Sequence, residues 1–198
     1  HTMRDHKRIL YNGNNYSEEW IKEAESRGLA HLPTTVDAMH CFISEKNISL
    51  FTRWGIYTER EMRSRYDISL ENYAKLIRIE ASTMLSMAQR SILPAVIGYE
   101  SKIAEAVSAK DRLGVPNDAE YALLKGLSAG VNALHKRIGG LFDAIAAMPK
   151  GNGEAAEYCR DKLLPAMGSL REAADALETI TAKEYWPFPG YEDLLFNL

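Results

Sequence analysis

The stretch TEREMRSRYDISLENYAKLIRIEASTMLSMAQRSIL, residues 58–93, decides the fold. Thr58-Glu59-Arg60-Glu61 is a capping-box sequence. The threonine hydroxyl and the Glu61 carboxylate each take a backbone N–H that a helix start leaves without a partner. No glycine or proline follows until Pro94. Apolar side chains recur at Tyr73, Ile77, Ala81, Met84, Ala88 and Ile92, in steps of three and four that belong to a helix and not to a strand. Beyond Pro94 the stripe runs on in phase through Ala95, Tyr99, Ile103 and Ala106. The proline is therefore expected to kink the helix without ending it; Gly114 and Pro116 close it.

Two further seams follow. Asn117, with Glu120, starts a helix whose apolar positions are Leu124, Leu127, Val131, Leu134, Ile138, Leu141, Ile145 and Met148. Those positions alternate three- and four-residue steps as a coiled-coil seam does. Pro149 and Gly151 end it. A third helix begins near Asn152, carries Ala156, Cys159, Leu163, Ala166, Leu170, Ala173, Leu177 and Ile180, passes Pro165, and is expected to stop at Pro187 and Pro189. Short connectors between long helices make neighbours antiparallel. The fold class is all-α: short irregular helices, then an antiparallel bundle of about three long helices with a docked C-terminal tail.

Upstream, the elements are short. Ile9-Leu10-Tyr11 reads as extended and Asn12-Gly13 as a tight turn. Ser17 is an N-cap followed by Glu18 and Glu19, where the helix dipole favours anions. That helix should run to about Arg27 and stop at Gly28. Pro33-Thr34-Thr35 starts another, and Ser44–Trp54 a further one. Three segments result: 1–57 with short helices, 58–182 as the long-helix bundle, and 183–198 as an aromatic tail. The tail holds Tyr185, Trp186, Phe188, Tyr191, Leu194, Leu195 and Phe196. Disordered termini lack such residues, so it is expected to dock, on the short helices of 17–54 or on a neighbouring subunit.

Composition bounds the function. The chain has 198 residues, 46% apolar and 26% charged, and a net charge of −3. That is enough to bury a sizeable core and argues against nucleic acid or an anionic membrane as the main partner. No apolar run approaches the ~18 residues of a membrane span, and no signal peptide is legible. Cys41 and Cys159 stand far apart without metal-ligand spacing and read as free cytosolic thiols. The chain opens on His1, as expected of a processed, tagged or excised chain.

Chemistry is nearly silent. Asp37 and His40 lie one helical turn apart, yet di-iron bundles need that kind of motif twice; a surface pair is the plainer reading. Glu80 beside Arg78 reads as an ion pair or edge position, His135 as a surface residue, and Met84, Met87 and Met148 as core filler. No glycine-rich phosphate loop, nucleophile elbow or HExxH is present. The expected site residues are therefore none: catalytic none, cofactor-binding none, metal none.

Larger segments are more telling. DHKRILYNGNNYSEEWIKEAESRGL (5–29) followed by TTVDA (34–38) resembles the segment just after the catalytic barrel of type III glutamine synthetases, the large bacterial form. SRYDISLENYAKLIRIEASTMLSMAQRSILPAV (64–96) resembles the long helix that follows there. YCRDKLLPAM (158–167), LREAADALE (170–178) and EYWPFPGYEDLLF (184–196) are similar to the last helix and tail. Residues 105–155 match least. The resemblance implies the C-terminal helical portion of a cytoplasmic ATP-dependent glutamate–ammonia ligase, structural or assembling in role and inactive alone. ATP and a divalent metal, magnesium, are implied for the parent enzyme and no cofactor for this portion. The implied partners are the rest of the parent chain and neighbouring subunits, as a homo-oligomer, with no nucleic acid and no membrane. The alternative is an independent helical protein-interaction module.

Overall fold

A computed structural model describes residues 1–195, with Tyr191 and Glu192 described by backbone alone. Every regular element among them is helical. The chain forms two compact units, His1–Tyr66 and Asp67–Leu198.

The first unit holds α1 (Thr2–Asp5), a 3-10 turn (Lys7–Ile9), α2 (Glu18–Ser26), α3 (Thr35–Phe42), α4 (Glu45–Arg53) and the start of α5 (Glu59–Met87). The Ser17 cap and the Thr58–Glu61 box stand where the sequence places them, and the helix expected to start at Pro33-Thr34-Thr35 is capped by Thr34. Ser17 Oγ accepts from Trp20 N at 3.3 Å, and Thr34 Oγ1 from Asp37 N at 3.2 Å. The Thr58–Glu61 box is reciprocal: Glu61 N donates to Thr58 Oγ1 at 3.2 Å and Thr58 N to Glu61 Oε2 at 2.8 Å. Gly28 and Gly55 take φ of 74° and 65°. In each case the next residue's N–H returns to the carbonyl five back, Leu29 to Ala24 and Ile56 to Phe51. A side chain with a Cβ resists that left-handed φ, so the helix stops at glycine.

Two local expectations fail in this unit. Ile9 closes a 3-10 turn, and the chain becomes extended at Leu10, at φ −88° and ψ 124°. Gly13 does not adopt positive φ. The turn sits three residues later, at Asn14–Ser17, where Ser17 N donates to Asn14 O at 3.1 Å and Asn14 Oδ1 accepts from Tyr16 N at 3.0 Å. A Cβ on Gly13 would lie 2.6 Å from the end of the Tyr11 ring, so what glycine supplies there is room for that ring rather than handedness. Tyr11 in turn stacks on Trp20 with centroids 4.3 Å apart. Arg27 lies over the same indole and donates to the carbonyls of Leu10, at 2.6 Å, and Arg8. The opening basic stretch is thus tied to the end of α2.

The second unit is the bundle. It contains the rest of α5, a π segment (Ala88–Ile92), α6 (Leu93–Leu113), α7 (Asp118–Ala146), α8 (Asn152–Tyr158), a second π segment (Cys159–Leu163), α9 (Leu164–Glu178) and α10 (Tyr191–Leu195). Helix α7 packs against both α6 and α9. The seams supply the core: Ile77, Ala81, Ala88 and Ile92 from the first helix, Leu127, Leu134, Ile138 and Leu141 from α7, and Cys159, Leu163, Leu170 and Leu177 from the third. Late in α6 the register differs from expectation, with Val107 buried and Ala106 exposed.

The shift has a visible source. Both prolines are crossed without a break, but each sits just after a π segment. Leu93 N bonds back to Ala88 O, and Leu164 N to Cys159 O, five residues each. Proline lacks a donor, and its ring collides with the carbonyl four residues back. Opening the preceding turn to a five-residue span relieves that collision and inserts one residue into the helix. The inserted residue advances the buried face, which then reads Ala88, Ile92, Val96. Cys159, Leu163 and Met167 repeat it. Sequence reasoning missed that Ala88–Val96 and Cys159–Met167 are one nine-residue pattern used twice: a small residue, then Ile or Leu, then Leu-Pro-Ala.

Two helix ends also depart from expectation. Asn117 makes no side-chain cap on α7; its amide donates back to Asp111 Oδ1 at 2.7 Å. Helix α9 stops at Glu178, well before Pro187. Thr179 and Thr181 hydroxyls donate to Ala176 O at 2.8 Å and Leu177 O at 2.7 Å. Such hydroxyl–carbonyl bonds compete with helix propagation.

Candidate functional site

The tail walls one side of a concavity on the bundle. After α9 the chain turns at Thr181, which is buried, and runs as a strap over the bundle. Trp186 and Phe188 pack against the bundle core, and Tyr185 lies with its ring 5.1 Å from that of Tyr99. The tail therefore docks on its own chain's bundle, a target not among the two expected. The docking expected of the Tyr191 side chain and of Phe196 lies outside the described residues. Asp193 locks the strap. Its Oδ1 pairs with Lys183 Nζ at 2.7 Å and its Oδ2 accepts from Gly190 N at 2.9 Å. The Lys183 ammonium and then the Gly190 N–H hold the Asp193 carboxyl below its ordinary value.

Between α5, α9 and the strap lies a groove of about 700 Å³. Its floor is Met84, Ala88, Ile92 and Leu170, and its far wall is Trp186, Phe188 and Pro189. Three carboxylates reach it: Glu80, Asp175 and Glu178. Arg171 is also present, with its Nε 3.3 Å from Asp175 Oδ2. A second hollow, of about 560 Å³, lies along α5, where Lys75, Arg78 and Lys150 line it with Leu85, Phe142 and Met148.

The residues weighed from sequence do not converge. Asp37 is occupied at the start of α3, where its Oδ2 accepts from Thr34 Oγ1 at 2.5 Å. His40 Nδ1 lies 3.2 Å from Tyr66 Oη. Glu80 lines the groove and Arg78 the second hollow. His135 is exposed on α7. Met84 and Met148 pack against the core, while Met87 is exposed at the groove rim. Cys159 is buried 3.9 Å from Ala74 O, and burial pushes its thiol up; Cys41 is exposed. Among the described residues no three His, Cys, Asp or Glu side chains gather as a metal site would require. No helix among them is long and apolar enough to cross a membrane. Sequence reasoning missed the groove because its walls come from residues about a hundred positions apart.

Comparison with known proteins points one way. A family model described as the glutamine synthetase C-terminal domain matches residues 1–111. A glutamine synthetase of Butyrivibrio fibrisolvens is 37% identical over 204 residues, an alignment covering 100% of this chain and 29% of that protein. A type-3 glutamine synthetase of Dictyostelium discoideum is 34% identical, over 98% of this chain and 28% of its own length. A glutamine synthetase of Bacteroides fragilis is 26% identical, over 96% and 27%. The chain spans less than a third of the length of these relatives.

Proposed function

The chain belongs to the glutamine synthetase C-terminal domain family, and from that premise we propose that it serves as the helical C-terminal portion of an ATP-dependent glutamate–ammonia ligase. The observation that carries this reading is coverage: all of this chain aligns with 29% of a glutamine synthetase at 37% identity. Its role is structural. Three seams of leucine and alanine make a rigid bundle, and the first unit, with its caps and aromatic clusters, joins that bundle to the remainder of the ligase. Association of the ligase into a homo-oligomer and a cytoplasmic location belong to the same reading.

ATP and magnesium would act on the rest of the ligase. The residues described here do not fit them, since no three His, Cys, Asp or Glu side chains among them stand close enough together to hold a metal ion, and no catalytic step is assigned to this chain. The purified 198-residue chain should form no glutamine from glutamate, ammonia and ATP above a mock purification. Joined in frame to the upstream part of a relative, it should restore activity that the upstream part alone lacks. Activity of the isolated chain, or full activity of the upstream part without it, would overturn the reading.

A further inference from the structure

We propose that the groove between α5, α9 and the C-terminal strap binds a small organic cation with an apolar body, a function separate from the structural role above. Three observations support it. The first is shape. At about 700 Å³ the groove falls in the range of small-molecule sites, which are concave and mostly apolar with a few polar groups.

The second is unspent apolar surface. Ile79, Met87 and Leu194, at the groove's edges, are 63%, 42% and 68% exposed. Trp186 and Phe188 turn one part of themselves into the core and leave the rest along the groove wall. A wetted patch of this kind gains by being covered.

The third is charge. Among the described residues the groove carries Glu80, Asp175 and Glu178 against one cation, Arg171, which is already paired with Asp175. Glu80 and Glu178 are left facing a hollow with aromatic walls. Carboxylates and an indole lining one groove favour a positive head group, because the ring quadrupole and the carboxylates attract the same charge. An anionic or neutral ligand of equal size would meet the same floor and lose at the rim.

The third tryptophan provides the readout. Of Trp20, Trp54 and Trp186, only Trp186 lines the groove. In a Trp20→Phe/Trp54→Phe background, octyltrimethylammonium is titrated below its micelle concentration while Trp186 emission is followed. Octanesulfonate serves as the anionic counterpart of equal chain length. The cation should change the emission saturably, and the sulfonate should bind about tenfold more weakly or not at all. Glu80→Gln/Glu178→Gln should abolish this preference while leaving the melting temperature in place, since both side chains are exposed. Equal binding of the two amphiphiles, or a preference that survives the double glutamine variant, would refute the proposal. So would an emission change that follows protein concentration alone together with sedimentation, because a second copy of the chain would then occupy the groove.

Discussion

Gly130 offers a sharp test of how closely α7 and α9 approach. It lies inside α7, where glycine ordinarily costs about 1 kcal/mol relative to alanine. A Cβ placed there would overlap Leu177 Cδ2 and stand 3.0 Å from its Cγ. Leu177 is 1% exposed, so the leucine has little room to yield. Overpacking of this kind costs roughly 1–3 kcal/mol. The net expectation for Gly130→Ala is a loss of about 0–2 kcal/mol. Gly139 and Gly140, in the same helix, have nothing within 4 Å of a built Cβ. Gly139→Ala should therefore gain about 1 kcal/mol. A cycle separates propensity from packing. Leu177→Ala alone should cost about 2–5 kcal/mol, but in that background Gly130→Ala should become stabilising, since its methyl enters the space vacated. The coupling is then on the order of 1–3 kcal/mol, measured by urea unfolding followed by far-UV circular dichroism. If Gly130→Ala stabilised the intact protein as much as Gly139→Ala, or if the cycle closed additively, the close approach of α7 and α9 would be wrong.

Leu134→Ala and Leu170→Ala, at core positions 0% and 1% exposed, should each cost about 2–5 kcal/mol; Arg137→Ala and Glu172→Ala, both exposed, should move stability by about 0.5 kcal/mol or less, and equal thermal shifts would refute the seams. Deleting residues 184–198 removes Trp186 and Phe188 from the bundle, so it should lower the melting temperature or cause aggregation. An unchanged melt and unchanged solubility would make the strap a passenger. On acidification, Glu61 should contribute to acid unfolding. Its carboxyl is held below the ordinary 4.5 by the Thr58 backbone N–H first and the Thr58 hydroxyl second. A depressed folded value means the cap stabilises above pH 4.5 and is lost as pH falls below it. Glu61→Gln should flatten the acid limb of the stability curve, and an unaltered slope would show the cap to be idle.

What the sequence determined by itself was local and periodic. The Thr58–Glu61 box, the Ser17 cap and the glycine stops at Gly28 and Gly114 depend on residues within about five positions of one another, so their partners stand in the same short quotation. The three seams were legible because burial on one helix face imposes a period that any neighbouring helix satisfies. Tertiary structure decided the rest. Pro94 and Pro165 announced a disturbance, but the form it took, a π segment with the buried face advanced to Val96 and Met167, depended on which register the adjoining helices could accept. Asn117 had a capping residue's chemistry, yet Asp111 lay within reach across the turn and took its amide. Gly13 and Gly130 are indistinguishable in sequence from glycines that serve handedness or nothing. Only the approach of Tyr11 and Leu177 shows that they serve room. The aromatic tail had to bury somewhere, because exposed indole and phenyl surface is costly in water. Where it would bury is a property of the surface that receives it, and that surface, with the groove beside it, exists only once α5 and α9 have been brought together.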